Sequence, residues 1–208
     1  MILKYKYGQR LNNFWSSNLH ILIKRAHAGE ISFPGGRCET GETVVETAIR
    51  ETTEELGIES DKIDVWDTIR PVTDKKGKWN FSECAGHIWV RLNATEPTLF
   101  LILKYLGTSN ITPVVAEIKG TFSLESLKLN SSEVSIAFVK TIKELSDPKV
   151  RGYTQFRIPN SPGYSLPVYK TEPYRIWGMT AIITYQFLNV LLKRRGYTHK
   201  IYFQSPIK

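Results

Sequence analysis

Residues 43–57 read TVVETAIRETTEELG, and this stretch constrains the fold more than any other. Thr43 is placed to cap a helix, with Glu46 three residues on to complete a capping box. Val44, Val45, Ala48 and Ile49 make one apolar stripe, and Gly57 suits the position just past the end. On such a helix Glu51, Glu54 and Glu55 stand at i, i+3 and i+4, so three carboxylates share one face. Two readings are open at this point. The face is either solvated, at some cost to the helix, or it seats a hard divalent cation. Mg²⁺ and Mn²⁺ prefer carboxylate oxygen and keep open positions for a substrate phosphate.

The neighbours narrow the choice. Gly35-Gly36 allow a tight turn ahead of the helix. Glu42 follows Gly36 by six positions, Arg50 precedes the glutamates, and Gly57-Ile58 follow them. The whole resembles the signature of the Nudix hydrolases, Gx5Ex7REUxEExGU, where U is a bulky aliphatic. All the fixed letters and the second U are met, and Thr52 stands at the first U. The resemblance implies an α+β Nudix fold, an α/β/α sandwich with a mixed central sheet. It implies that Glu51, Glu54 and Glu55 hold Mg²⁺ or Mn²⁺ against a diphosphate. One of them, with Glu54 the chosen residue, orients or deprotonates the attacking water. Arg50 pins the carboxylates by charge-assisted hydrogen bonds, and Glu42 is structural or an outer ligand.

Three further stretches resemble the coenzyme A diphosphatase branch, closest to its mitochondrial animal type. Arg25, Gly29 and Phe33-Pro34-Gly35-Gly36 match the end of that branch's feature upstream of the helix, although one arginine serves where two are usual. Arg25, Gly29, Gly35 and Gly36 are therefore the expected substrate-binding residues. Read without the resemblance, FPGG simply closes a strand. NSSEV at 130–134 resembles a second segment of the branch, which makes Glu133 an expected metal ligand or general base rather than a bare loop acid. RGYTQF, YSLPVY and YRIWGMTAIIT, from Arg151, Tyr164 and Tyr174 onward, complete the resemblance. Their aromatics and arginines suit stacking on adenine or clasping a phosphate, but for Trp177, Met179 and Ile182 the favoured expectation is helix core.

Elsewhere the pattern predicts strands over 20–24, 30–33, 62–69, 87–92, 114–118 and 135–139. It predicts a short helix at 141–145, a loop with short strands over 152–174, and a long helix over 174–192 closed by Lys193, Arg194 and Arg195. A single domain over 1–208 is expected. The resemblance fails between Lys75 and Ile111, which reads as an insertion that projects from a loop and leaves the glutamate helix intact.

Composition sets the remaining bounds. The net charge of +8 and a pI near 9.4 admit nucleic acid, an anionic surface or a phosphate-rich small molecule as partner. The basic residues are scattered, which disfavours a nucleic-acid stripe. No apolar run approaches ~20 residues, so no membrane span is expected. Cys38 and Cys84 are too few for a disulfide framework and read as bystanders in a reducing compartment. The four histidines show no zinc spacing, and His27 reads as structural. Residues 1–29 hold five Lys/Arg and no acid, which weakly resembles an organelle-targeting segment and fits a mitochondrial location, with the cytoplasm as alternative.

Three functions follow in order. The first is Mg²⁺- or Mn²⁺-dependent cleavage of coenzyme A and acyl-CoA. The second is cleavage of NADH, ADP-ribose or capped RNA. The third is a nucleotide-binding module without turnover.

Overall fold

Leu22 and Ile23 are neighbours in sequence, and both are almost fully buried. In a strand, consecutive side chains point to opposite faces, so both faces of this one are covered. The computed structural model describes residues 18–26, 29–73, 98–106, 110–120, 122–158, 161–192 and 196–201. His27, Cys84, the strand expected over 87–92, the basic closure at 193–195 and most of the basic amino terminus lie outside the described residues.

Strand β1 (Asn18–Arg25) runs through the centre of a mixed sheet. Along one edge it pairs antiparallel with β7 (Val134–Thr141). Along the other it pairs with β2 (Ile31–Ser32), antiparallel, and with β5 (Thr98–Leu106), parallel. Strand β6 (Asn110–Ile118) lies beyond β5, and β3 (Ile63–Thr68) and β4 (Val72–Thr73) pair with its far edge.

Two hydrophobic clusters fill the two faces. Ile23, Val114, Ala116 and Val134 pack with Ala48 and Leu56 of helix α1 (Val44–Leu56). Leu22 and Val115 pack on the other side with Phe33, Ile182, Ile183 and Phe187, the last three from helix α3 (Gly178–Leu192). The sheet is thus sandwiched between helices, the α/β/α arrangement expected. A short helix α2 (Ile142–Ser146), capped by Thr141, follows β7.

Helix α1 forms for the reasons legible in its sequence. Thr43 Oγ1 accepts from the Glu46 N–H at 3.2 Å, and the Thr43 N–H donates back to Glu46 Oε2 at 2.8 Å. Gly57 adopts a left-handed φ of 68° and donates to the Thr53 carbonyl at 2.9 Å. Thr52, at the aliphatic position of the signature, is fully buried, and its hydroxyl donates to the Ala48 carbonyl at 2.8 Å. That bond satisfies the one polar atom, so threonine fills a space shaped for valine.

Three expectations need correction. The last part of the stretch read as a projecting insertion, 98–106, is strand β5, held between β1 and β6. Its apolar run TLFLILKYL is what an interior strand requires. The loop with short strands expected over 152–174 has its strands, but they are long and pair as a hairpin, β8 (Arg151–Ile158) with β9 (Ser161–Tyr169). Aromatic and β-branched residues favour the strands, and prolines are tolerated because a two-stranded ribbon leaves free edges. Phe156 and Tyr164 stack across it at 4.9 Å. The last helix starts at Gly178, not at 174. Ile176 exchanges both backbone bonds with Tyr169 at 2.9 Å, and Gly178 has φ 61°, so the chain is not helical before it.

Candidate active site

The glutamates of α1 meet two arginines that arrive from different directions. Arg50, on the same helix, grips Glu42 with two bonds, Nε to Oε1 at 2.7 Å and Nη2 to Oε2 at 3.0 Å. Its Nη1 also donates to Glu51 and to Glu54, each at 3.1 Å, and its Nη2 to the Arg37 carbonyl at 2.9 Å. The Glu42 carboxyl is held down to about 2, chiefly by these Arg50 hydrogen bonds. The fork therefore ties the loop of residues 37–42 to the glutamate face of α1.

Arg25 comes from the end of β1. It bonds the Glu55 carboxylate through Nη1, the Gly35 carbonyl through Nη2 at 2.7 Å and Ser32 Oγ through Nε at 3.3 Å. The Glu55 side chain is fully buried, and its second oxygen accepts from the Gly35 N–H at 3.2 Å. Burial pushes the Glu55 carboxyl up to about 7, while Arg25 and the Gly35 N–H pull the other way. Burial likewise raises Glu51. A bound cation would favour the ionised form of both.

Glu133 reaches this centre from the turn before β7. Lys128 and Asn130 donate their backbone N–H groups to the Leu56 and Glu55 carbonyls at 3.0 and 3.1 Å, which satisfies two open carbonyls at the end of α1. Asn130 Oδ1 accepts from Ser132 Oγ at 2.6 Å, and the Ala26 N–H donates to the Glu133 carbonyl at 2.8 Å. The turn is thereby clamped between α1 and β1. Carboxylate oxygens of Glu51, Glu55 and Glu133 all lie within 4.8 Å of one another. At that spacing two like charges repel by about 3 kcal/mol under an effective dielectric near 20. Three hard oxygen donors, with neither sulfur nor imidazole among them, fit Mg²⁺ or Mn²⁺.

The expected site residues are distributed as follows. Glu51, Glu55 and Glu133 converge. Glu54 stands beside them on Arg50, with its side chain 53% exposed. Arg25 is turned inward on Glu55, and its Nη1 lies 3.8 Å from Glu133. Gly35 supplies both its N–H and its carbonyl to the Arg25–Glu55 pair. Gly36 makes room, since a Cβ there would collide with the Glu51 carboxylate. Gly29 takes φ 63° in the turn after β1. The sequence reading missed Ser32, whose signal is weak: one hydroxyl just before FPGG. It also missed Asn130 as the organiser of its turn. Cys38, read as a bystander, contacts Thr47 Oγ1 at 2.8 Å. Among Trp177, Met179 and Ile182, the core expectation fails for Trp177, which is 51% exposed, and holds for Ile182 at 1%.

A profile of the NUDIX domain matches residues 17–139. The chain belongs to the Nudix family. This Nudix chain is 34% identical to the mitochondrial coenzyme A diphosphatase NUDT8 of Mus musculus over 166 residues, 79% of the chain and 64% of that protein. Against the Homo sapiens protein of the same name it is 33% identical over 79% of the chain and 57% of the relative. Nudix hydrolase 3 of Caenorhabditis elegans is 29% identical over 80% of the chain and 62% of the relative. The Nudix chain thus spans less than two thirds of the length of each of these relatives. Among its described residues, no helix is long and apolar enough to cross a membrane.

Proposed function

We propose that the protein hydrolyses the diphosphate bond of coenzyme A and acyl-CoA esters, giving 3′,5′-ADP and (acyl-)4′-phosphopantetheine. The observation that carries this reading is the convergence of Glu51, Glu55 and Glu133, fed by the two arginines, in a chain whose relatives are named coenzyme A diphosphatases. The upstream Arg25, Gly29 and FPGG match, and the NSSEV turn that delivers Glu133, favour this branch over other Nudix substrates.

Glu51, Glu55 and Glu133 would hold Mg²⁺ or Mn²⁺, with Glu54 adjacent as a further ligand. Bound there, the ion neutralises charge developing on the diphosphate and lowers the pKa of water. The chain's own groups do the rest. Arg50 and Glu42 fix the glutamate face, and Arg25 orients Glu55. Glu133, half exposed, or Glu54 takes the proton of the attacking water. The water oxygen joins one phosphorus, and the bridging oxygen leaves with the other phosphate. The mitochondrial names of the relatives support a mitochondrial location.

Product analysis with coenzyme A, NADH and ADP-ribose side by side tests the reading. Release of 3′,5′-ADP from coenzyme A, dependent on added Mg²⁺ or Mn²⁺, is expected. Intact coenzyme A beside a cleaved alternative would remove the substrate assignment.

A further inference from the structure

Arg25 and its neighbour Lys24 leave β1 on opposite faces. While Arg25 serves Glu55, Lys24 places its Nζ 5.4 Å from the centroid of the Tyr174 ring. That is within the range of a cation–π contact. Tyr174 leans on Phe138, ring centroids 5.1 Å apart. Ile136, directly across from Lys24 on β7, is 38% exposed. The loop that carries Tyr174 is fixed at several points. Thr171 Oγ1 donates to the Tyr174 carbonyl at 2.5 Å, Lys140 Nζ donates to the Glu172 carbonyl at 2.6 Å, and Ile176 is paired with Tyr169.

Trp177 follows on the same loop. Thr180 Oγ1 donates to the carbonyl of Ile31 at 2.9 Å, and Ile31 is the strand partner of Lys24. The exposed indole therefore stands at the same end of β1 as Lys24. An indole that is half in water contributes little to the core. It costs solvation that a packed helix start would avoid. The Tyr174 ring is pre-positioned against Phe138, so a flat ligand loses little additional freedom on meeting it.

We propose that Lys24, Tyr174 and Trp177 form the subsite for the 3′-phosphorylated adenosine end of the substrate. The rings stack the purine, and the Lys24 ammonium pairs with the 3′-phosphate. Lys24 adjoins Arg25 in the chain and stands across from Ile136, three residues beyond Glu133, but on the other face of the sheet from the carboxylate trio. A substrate whose diphosphate sits on the trio then lays its nucleoside across the end of β1. The inference rests on the coenzyme A reading above and adds how that substrate is told from its relatives.

The test compares wild type, Lys24→Met and Trp177→Ala on coenzyme A and on dephospho-coenzyme A, which lacks only the 3′-phosphate. Adenosine 3′,5′-bisphosphate is also titrated calorimetrically without turnover. Wild type is expected to prefer coenzyme A. Lys24→Met is expected to reduce that preference about tenfold, through KM rather than kcat. Trp177→Ala is expected to raise KM for both substrates by about tenfold, as loss of one stacked base does. An unchanged preference in Lys24→Met, with coenzyme A still hydrolysed, overturns the ledge. If wild type leaves coenzyme A intact, the reading under Proposed function fails by itself, and the titration still decides: bisphosphate binding weakened about tenfold by Lys24→Met supports the ledge, and binding indifferent to Lys24 refutes it.

Discussion

The guanidinium of Arg25 is bonded to the carboxylate of Glu55, whose side chain is fully buried on the inner face of α1. A strand end and a helix are thereby locked at the centre of the site, and the same guanidinium holds the Gly35 carbonyl at 2.7 Å. Removing one partner leaves a buried, unpaired group. Arg25→Met is expected to cost about 3 kcal/mol of stability, and the double variant Arg25→Met/Glu55→Gln to recover part of that loss. Urea melts of the four corners of this cycle measure the coupling. Additive effects would mean that the pair does not hold the two elements together.

The carboxylates should be separable by what they do. Glu51→Gln, Glu54→Gln, Glu55→Gln and Glu133→Gln are each expected to lower kcat by about 100-fold or more. Glu54 is the clearest control because its exposed side chain leaves little packing to lose. Its variant should melt within a degree or two of wild type. Mn²⁺ titration by calorimetry ranks the four as ligands. Full turnover in any of them would strike that residue from the site.

Gly36 is expected to tolerate no side chain. A Cβ there meets the Glu51 carboxylate, which must then move off its Arg50 bond. Gly36→Ala should retain the fold, judged by circular dichroism, while losing about tenfold or more in Mn²⁺ affinity. Retention of wild-type affinity would show that Glu51 is free to swing without consequence.

Away from the site, Asp64 and Glu117 are strand partners on β3 and β6. Burial, reinforced by Asp64, pushes the Glu117 carboxyl up to about 7 from its ordinary 4.5. A raised carboxyl means that the folded state binds the proton more readily than the unfolded chain. The ionised form therefore penalises folding above about pH 7. The penalty fades as pH falls toward 4.5 and is gone below it. Glu117→Gln is expected to stabilise the protein by about 1 kcal/mol at pH 8, allowing for solvent screening, and to be neutral at pH 4. Denaturant melts at the two pH values check this. An equal effect at both would point to packing rather than charge.

How much was legible varies with the range of the forces involved. Helix α1, its cap at Thr43 and its stop at Gly57 follow from hydrogen bonds between near neighbours. The grouping of Glu51, Glu54 and Glu55 follows from the 3.6-residue turn. The same locality misjudged the start of α3, because the pairing of Ile176 with Tyr169 overrides the helical pattern that precedes Gly178. The stretch at 98–106 read as part of an outgrowth because the family resemblance fails between Lys75 and Ile111. Its partners are β1 and β6.

The order of residues alone determined that this is a Nudix chain, that its glutamates share one face and that the layers are α/β/α. Only the folded molecule decided that Glu133, rather than Glu54, converges with Glu51 and Glu55, that Arg25 faces Glu55 while Lys24 faces Tyr174, and that Trp177 meets water. The division has one cause. Backbone geometry fixes what is one helical turn apart, whereas residues far apart in the chain meet only where packing and backbone bonds between strands bring them together.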